Sequence, residues 1–321
     1  MPIISHKNII NQFINMVNND QLHQALIFKG KRGVGKFSTA IYFTKILLSL
    51  KALNIKGKGQ LERNKLDELI NNFPARKLHS NLLIIQPALD KKTLKQKDLI
   101  SVEDIRAAKN FLNLKAEERD YKVIIIDSLD NLNLNAANAL LKTIEEPNPN
   151  TIFFLIHHNE DPLLDTIKSR CLVFQFNSLN TVELKELCHR QGINLEDSLA
   201  SNLGKLSGGS FANLVWYLQE DNLKLYKMVM DNLKENNPNN SSGLEKTQAV
   251  ISYLKSHPGI NYDKVFEILE LYILKASTNP KAQKDYYQIL NDLYYLKKNT
   301  SLLNLDKLAA LSIILLKMYD L

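Results

Sequence analysis

The sequence contains only two cysteines, Cys171 and Cys188, in 321 residues. They provide neither a disulfide framework nor the spacing of metal ligands, which fits a reducing cytosol. No apolar run approaches about 20 residues, so a membrane span is not expected. The first residues, MPIISHKNIINQF, also lack the apolar core of a secretion signal. These absences predict a cytoplasmic protein without a membrane partner.

The chain also lacks a strong dominance of one charge sign, since 41 Lys and Arg stand against 34 Asp and Glu, for a net charge of +7. A basic excess is compatible with a nucleic-acid partner. Lysine, asparagine and isoleucine are nevertheless frequent along the whole chain, as an AT-rich coding bias would produce, and no groove of basic and aromatic residues is readable. We therefore favour a solvated surface for the lysines, and the charge does not decide the function.

The length of the chain predicts two or three domains, and an apolar fraction of 45% is enough for sizeable cores. Through the first 177 residues, short apolar segments alternate with helical patterns. This alternation is typical of a parallel sheet that is covered by helices on both faces. The predicted strands are residues 25–28, 82–85, 123–126, 152–156 and 172–176.

Helical patterns surround these strands. Residues 3–22 predict an amphipathic helix, and residues 38–50 predict a second helix after a Gly-rich turn. Residues 51–76 are polar and charged, with a partly helical pattern. The apolar face of the first helix is predicted to carry Ile9, Ile10, Phe13, Ile14 and Val17.

After Asn177 the strand pattern stops and only helical patterns follow. Residues 178–220 contain three helix signals separated by glycine, which are enough for a small helical lid. Residues 221–321 predict amphipathic helices around a loop at 236–243, and their tyrosine and leucine stripes are typical of a bundle core. We therefore predict three domains: an α/β domain at 1–177, a lid at 178–220 and a C-terminal helical domain at 221–321.

The Gly-rich turn, GKRGVGK at residues 30–36, matches the GxxxxGK core of a P-loop and lies between a strand and a helix. In such a loop the backbone amides surround phosphates, and Lys36 would reach the terminal phosphates. A working P-loop places Ser or Thr after the lysine, because its hydroxyl binds Mg²⁺. Here Phe37 occupies that position, and Ser38 lies about 100° further around the helix. The pattern favours a loop that keeps its shape but binds Mg-nucleotide weakly or not at all.

A second candidate lies at the end of the strand 123–126, where Asp127 reaches the carboxyl edge of the sheet. Ligands of open α/β sheets bind at this edge. Ser128 follows, and a hydroxyl without a neighbouring base is a poor general base. Asp130 cannot be assumed to replace the missing base. The sequence also leaves open that Asp127 only caps the next helix, which is predicted over 135–146 with Leu140, Leu141 and Ile144 buried and which ends before Pro147.

Two further motifs follow along the chain. His157 and His158 come after the strand 152–156, and a metal site is not favoured because no further Cys or His cluster lies near them. The run Ser169-Arg170-Cys171 comes directly before the strand 172–176. An arginine at such a position is ordinarily a surface residue or an ion-pair partner.

Taken together, these motifs resemble the AAA+ clamp-loader subunits of bacterial DNA polymerase III. The features that carry the resemblance are the GxxxxGK turn, the strand that ends in Asp127, the helix ALLKTIEEP and the SRC run. The resemblance is strongest over residues 121–176, good over 22–50 and only architectural beyond 180. It implies an AAA+ domain, a lid and a C-terminal collar domain that joins a hetero-pentamer. The implied partners are the gamma/tau and delta subunits, together with the sliding clamp and primed DNA that the complex handles.

The resemblance also implies a role for each motif. Arg170 would project into a neighbouring subunit as an arginine finger and contact the γ-phosphate of ATP bound there. Asp127 would be a degenerate Walker B aspartate and His157 would take the place of a polar sensor. Gly30, Gly33, Gly35 and Lys36 would form a degenerate P-loop that retains weak ATP binding at most.

Three elements of ATP hydrolysis in the family are missing from this sequence. Phe37 replaces the hydroxyl residue, Ser128 replaces the glutamate that polarises water, and Ala212 replaces a sensor arginine of the lid. Many family members also insert a four-cysteine zinc module where residues 50–79 lie, and this stretch contains no cysteine, so no zinc is expected. The resemblance therefore predicts a non-catalytic subunit that supplies Arg170 in trans.

Two alternatives remain open at this point. An active P-loop ATPase, such as the gamma/tau motor subunit, would hydrolyse Mg-ATP as a purified chain. A DNA-binding protein that acts through its basic surface would bind DNA tightly, with a strong dependence on salt.

Overall fold

The computed structural model describes residues 5–52, 80–87, 99–113, 121–158, 164–234, 243–277, 283–302 and 306–319. The chain separates into two compact units, Met1–Ile193 and Asn194–Leu321. The first unit contains a parallel sheet with helices, and the described part of the second unit is helical. The predicted fold class, an α/β domain followed by helices, is confirmed.

The sheet of the first unit has five strands in the order β2-β3-β4-β1-β5, and every neighbouring pair is parallel. All five carboxyl ends therefore lie at one edge. This edge collects the Gly-rich turn after β1, Asp127 at the end of β3 and His157 at the end of β4. The strands are β1 (Ala25–Lys29), β2 (Leu82–Ile85), β3 (Lys122–Asp127), β4 (Thr151–His157) and β5 (Leu172–Gln175).

Six α-helices are described in the first unit. They confirm the predicted alternation of strands and helices, and a short 3-10 turn at Leu129–Asn131 follows β3. The helices are α1 (Lys7–Asn18), α2 (Lys36–Ala52), α3 (Val102–Asn113), α4 (Leu134–Glu145), α5 (Asp165–Lys168) and α6 (Thr181–Arg190).

Apolar clusters cover the two faces of the sheet. On one face, Phe13 of α1 stacks on Phe43 of α2 with ring centroids 3.7 Å apart, and both rings lie near Phe154 of β4. On the other face, Ile105 of α3 and Leu140 of α4 are buried against the sheet. Because both faces are covered, β3 and β4 consist of nearly continuous apolar residues, which is why their positions can be read from the sequence.

The ends of two helices differ from the predictions. The first helix was expected over 3–22 but α1 ends at Asn18, and Asp20 adopts a left-handed conformation with φ of 57° that a helix cannot continue through. The helix after the Gly-rich turn begins at Lys36, two residues earlier than expected, because the turn enters the helix directly. Val17 and Leu141, both expected to be buried, are only partly buried.

The second unit contains seven described helices. A buried Tyr217 donates a hydrogen bond of 2.8 Å to Glu267, which joins two of them. No described helix of the chain is both long and apolar enough to span a membrane. The helices are α7 (Asp197–Leu206), α8 (Phe211–Leu218), α9 (Glu220–Lys234), α10 (Gly243–Ser256), α11 (Tyr262–Ala276), α12 (Gln283–Leu302) and α13 (Lys307–Tyr319).

Some sequence predictions fall on residues outside the described ranges. The loop expected at 236–243 is among them, except that Gly243 is already the first residue of α10. Most of the polar segment 51–76 and of the cysteine-free stretch 50–79 also lies outside. The division into a lid at 178–220 and a collar at 221–321 stays a prediction.

Candidate functional site

The Gly-rich turn leaves the sheet at the end of β1 and passes into α2. Gly30, Gly33 and Gly35 have φ values of 153°, 82° and 99°, in the region that favours glycine. Gly30 is also tightly packed, because a Cβ added there would lie 2.2 Å from the carbonyl oxygen of Phe176. The Gly30 amide donates to the His157 carbonyl at 3.2 Å, so the turn is fixed to two neighbouring strands.

Lys36 points back into this turn. Its ammonium donates to the carbonyl oxygens of Gly30 and Lys31, at 2.6 Å each, and the residue is only 2% exposed. Burial lowers the pKa of Lys36 from its ordinary 10.5 to about 8, although the nearby charges of Asp127 and Asp130 act in the opposite direction. The cation that would contact nucleotide phosphates is thus held by the carbonyls of its own loop.

The residues after Lys36 offer no hydroxyl at the position where a P-loop requires one. Phe37 packs against the apolar cluster of α1 and α2. Ser38 is exposed, on a different side of the helix from the buried Lys36. The Thr39 hydroxyl is buried and donates to the Gly35 carbonyl at 2.9 Å. The Phe37 side chain has no oxygen, and the Thr39 hydroxyl is used within the helix, so neither is placed to bind Mg²⁺ at this turn.

The acidic residues after β3 are paired with the two histidines after β4. His158 Nε2 lies 2.9 Å from Asp127 Oδ1, and His157 Nδ1 lies 2.8 Å from Asp130 Oδ1. The His158 amide also donates to Asp130 Oδ2 at 2.8 Å. Two carboxylate–imidazole pairs therefore occupy the edge of the sheet next to the Gly-rich turn.

The neighbouring residues support this arrangement. Ser128 is buried and donates to Asn131 at 2.6 Å, so its hydroxyl is used within the 3-10 turn. The alternative that Asp127 caps the next helix is wrong, because Asn133 is the N-cap of α4 and accepts from the Ala136 amide. Within the described ranges, no group of three or more His, Cys, Asp and Glu is arranged to hold a metal ion.

These side chains do not fit a Mg-nucleotide in the way a working AAA+ site requires. The hydroxyl ligand is replaced by Phe37, and the carboxylate of Asp127 is already paired with His158. A general base next to Asp127 is also missing, because Ser128 bonds to Asn131. The Lys36 ammonium can contact a phosphate group only if it leaves the carbonyls of its loop.

Arg170 lies after α5, separated from β5 by Cys171. Its Nε is 2.7 Å from Glu145 Oε1 at the end of α4, and the two side chains are 41% and 44% exposed. Its Nη1 donates to the Thr166 carbonyl at 3.0 Å and to Ser169 Oγ at 3.2 Å. The guanidinium is thus accessible and is held at Nε and Nη1, an arrangement that can still bind an anion of another molecule.

The remaining sequence-predicted position, Ala212, lies in the second unit. It is the second residue of α8, whose N-cap Ser210 accepts from the Asn213 amide at 3.2 Å. A methyl side chain at this position has neither a charge nor a hydrogen-bond donor for a phosphate.

A cleft of about 570 Å³ between α3 and α4 was not anticipated from the sequence. Arg106, Lys109 and Lys142 line it together with one acidic residue, Glu146. These basic residues come from two helices that are more than 20 residues apart in sequence, so no local motif shows that they are neighbours.

The buried Lys36 predicts a specific dependence of stability on pH. Because its pKa in the folded chain, about 8, is below its ordinary 10.5, the unfolded chain binds the proton more tightly. The cost of the buried charge is therefore fully present below pH 8 and is relieved as the pH rises to about 10.5, by up to about 1.4 kcal/mol per pH unit. The stability of the first unit relative to a Lys36→Met variant should rise between pH 8 and 10.

Hydrogen exchange of the β1 and β4 amides at several pH values would measure this difference. Lys31→Met, which removes an exposed lysine of the same turn, is the control and should show no such rise. A Lys36→Met difference that stays constant from pH 8 to 10 would contradict the prediction.

The comparisons with known proteins point to one family. Residues 5–180, more than half of the chain, match the family model described as DNA polymerase III, delta subunit. The tau/gamma subunit of DNA polymerase III from Haemophilus influenzae is 31% identical over 212 residues, which cover 65% of this chain and 28% of that protein. The delta-prime subunit from Bacillus subtilis is 29% identical over 187 residues, or 58% of this chain and 51% of that protein.

Two further similarities agree with these. The delta-prime subunit from Pseudomonas aeruginosa is 30% identical over 148 residues, which cover 46% of this chain and 41% of that protein. The alignments thus span between 28% and 51% of the length of the three relatives. A crystal structure of a DNA polymerase III gamma subunit-related protein from Thermotoga maritima matches with a TM-score of 0.50 and 19% identity, over 98% of both chains, and it supports the fold.

Proposed function

The chain belongs to the family described as DNA polymerase III, delta subunit, and from this premise we propose that it is a delta-prime-like clamp-loader subunit without ATPase activity of its own. In this proposal it supplies Arg170 to the nucleotide site of a neighbouring ATPase subunit. Relatives named delta-prime from two bacteria, which match the same chain, support the subunit type.

One observation carries the proposal: the polar groups of the nucleotide site are bonded to one another. Lys36 donates to the carbonyls of its own turn, and Asp127 is paired with His158. Phe37, at the sequence position where a working P-loop has its Mg²⁺ ligand, is partly buried and packs against the apolar cluster of α1 and α2. Hydrolysis needs a metal, a base and a free cation around the γ-phosphate. This site has no hydroxyl ligand for Mg²⁺ after Lys36 and no base after Asp127, and its lysine is bonded to loop carbonyls, so we expect it not to hydrolyse ATP.

The exposed guanidinium of Arg170 supports the role in trans. An arginine finger stabilises the charge that develops on the transferred phosphoryl group, and it acts on nucleotide bound by the partner. It therefore needs no nucleotide in its own subunit. The position of Arg170 after α5, on the surface of the first unit, is compatible with contact to another chain.

The proposed assembly is a hetero-pentamer with gamma/tau and delta subunits in the cytoplasm. Its substrates are the sliding clamp and primed DNA. The cleft between α3 and α4, with Arg106, Lys109 and Lys142 in its lining, is compatible with DNA phosphates as one ligand of the assembly.

The second candidate is an active motor subunit of the gamma/tau type. It is favoured by the 31% identity to the Haemophilus influenzae tau/gamma subunit, which exceeds the identity to either delta-prime relative described above. The two functions make opposite predictions for the isolated chain, since a motor subunit hydrolyses Mg-ATP and the proposed subunit does not.

We expect the purified chain to show no Mg-ATP turnover above that of its own Lys36→Ala variant. The comparison removes the contribution of contaminating ATPases, because only turnover that depends on Lys36 belongs to this site. A rate that disappears in Lys36→Ala would support the motor function and contradict the proposal.

A second measurement tests the assembly itself. The chain should co-elute with purified gamma/tau and delta subunits, and loading of the clamp onto primed DNA should fall when the chain is omitted. A chain that neither co-elutes nor affects loading is not a clamp-loader subunit.

A further inference from the structure

We propose that Glu145 is a positioning residue for Arg170, an inference that rests on the proposed function. The carboxylate of Glu145 fixes the guanidinium by its Nε edge and leaves the Nη2 amino group for a phosphate oxygen of the neighbouring subunit's nucleotide.

The hydrogen bonds of Arg170 are divided between two sides of the guanidinium. Glu145 takes Nε at 2.7 Å, while the Thr166 carbonyl and Ser169 Oγ accept from Nη1. These bonds use three of the five N–H groups of a planar fork, so they fix its plane as well as its position. Among the described residues, no acceptor takes a hydrogen bond from Nη2. The arrangement therefore presents one donor pair to another molecule.

The location of Glu145 is not explained by the stability of its own helix. It is the last residue of α4, where the partial negative charge of the helix end disfavours a carboxylate. Lys142, in the same last turn, carries the positive charge that this end of a helix favours. The ion pair with Arg170 offsets the unfavourable position, and it connects the end of α4 to the segment between α5 and β5.

The exposure of Glu145 and Arg170 limits how much their ion pair can stabilise the fold. An ion pair whose side chains are 41% and 44% exposed contributes little to stability. It can still hold a long side chain in one orientation, and this lowers the cost of ordering the arginine when a phosphate binds. Glu145 binds at Nε, on the edge that Nε shares with Nη2, while the second N–H of Nη2 points toward the end of the guanidinium. A phosphate oxygen can therefore bind at that end while the carboxylate stays bound.

The test uses the reconstituted clamp-loader assembly and steady-state ATP hydrolysis. We expect Glu145→Ala to lower kcat about fivefold, since this is the limit of what an exposed pair contributes, and to leave the KM for ATP unchanged. Glu186→Ala is the matched control, because Glu186 also forms an ion pair of 2.7 Å, with Arg190, and its side chain is 47% exposed. Glu145→Gln, which keeps an acceptor for Nε, should give an intermediate kcat.

A double-mutant cycle separates positioning from other effects. In the Arg170→Ala background, Glu145→Ala should change nothing, because the group that it positions is gone. If Arg170→Ala lowers kcat but Glu145→Ala leaves it unchanged or raises it, the role of Glu145 is wrong and the proposed function stands. If Arg170→Ala itself has no effect, the arginine-finger function fails. Should Glu145→Ala impair assembly, Glu145→Leu decides, because it keeps an apolar side chain but offers Nε no acceptor, and a kcat equal to wild type in that variant overturns the inference.

Discussion

Replacing Arg170 by alanine should slow ATP turnover at the neighbouring site by about 10³-fold or more, the range that arginine fingers provide in related phosphoryl-transfer enzymes. The physical reason is the loss of a positive charge from the transition state, where charge accumulates on the transferred phosphoryl group. ATP binding should change little, because the effect is on the transition state. Single-turnover hydrolysis in the reconstituted assembly measures it directly at the affected site.

The matched control for this experiment is Arg190→Ala. Arg190 also forms an ion pair of 2.7 Å, with Glu186, and its side chain is 39% exposed, close to the 41% of Arg170. Arg190→Ala removes one positive charge and one exposed ion pair, as Arg170→Ala does. Equal slowing by both variants would indicate a general effect of charge, and no slowing by Arg170→Ala would show that the finger comes from elsewhere.

The sheet could be predicted from the sequence because its central strands are buried on both faces. The runs at 123–126 and 152–156 contain no charged residue, and each observed strand extends no more than one residue beyond its prediction at either end. The Gly-rich turn was equally clear, since glycine recurs where positive φ is required. Local sequence was sufficient to predict these elements because burial on both faces, or a positive φ, determined the residue type.

The contacts of the candidate site could not be predicted in the same way. Asp130 reaches His157 and the His158 amide at the end of the neighbouring strand β4, from a 3-10 turn that has no periodic signal. Glu145 and Arg170 are 25 positions apart and meet only because α4 and the segment after α5 end near each other. Such pairs depend on tertiary packing, which a single sequence does not encode in its spacing. The functional roles of these residues remain predictions.

Gly30→Ala should destabilise the first unit by about 3 kcal/mol or more, the combined cost of a strained backbone and a forced contact. The added Cβ would lie 2.2 Å from the Phe176 carbonyl oxygen and 3.0 Å from its Cβ. Phe176 cannot easily move away, because its amide donates to the Lys29 carbonyl at 2.7 Å and continues the pairing of β1 with β5. The expected result is a large loss of hydrogen-exchange protection at β1 and β5.

Gly35→Ala is the control that separates strain from contact. Gly35 has a φ of 99°, but a Cβ there would have no atom within 4 Å, so only backbone strain of about 1–2 kcal/mol is expected. The single tryptophan, Trp216, lies in the second unit, and its fluorescence should be unchanged in both variants if the damage is confined to the first unit. Equal losses of hydrogen-exchange protection in Gly30→Ala and Gly35→Ala would contradict the expected cost of the contact with Phe176. A much larger loss for Gly30→Ala would show that packing against Phe176, after β5, is sufficient to require glycine at this position.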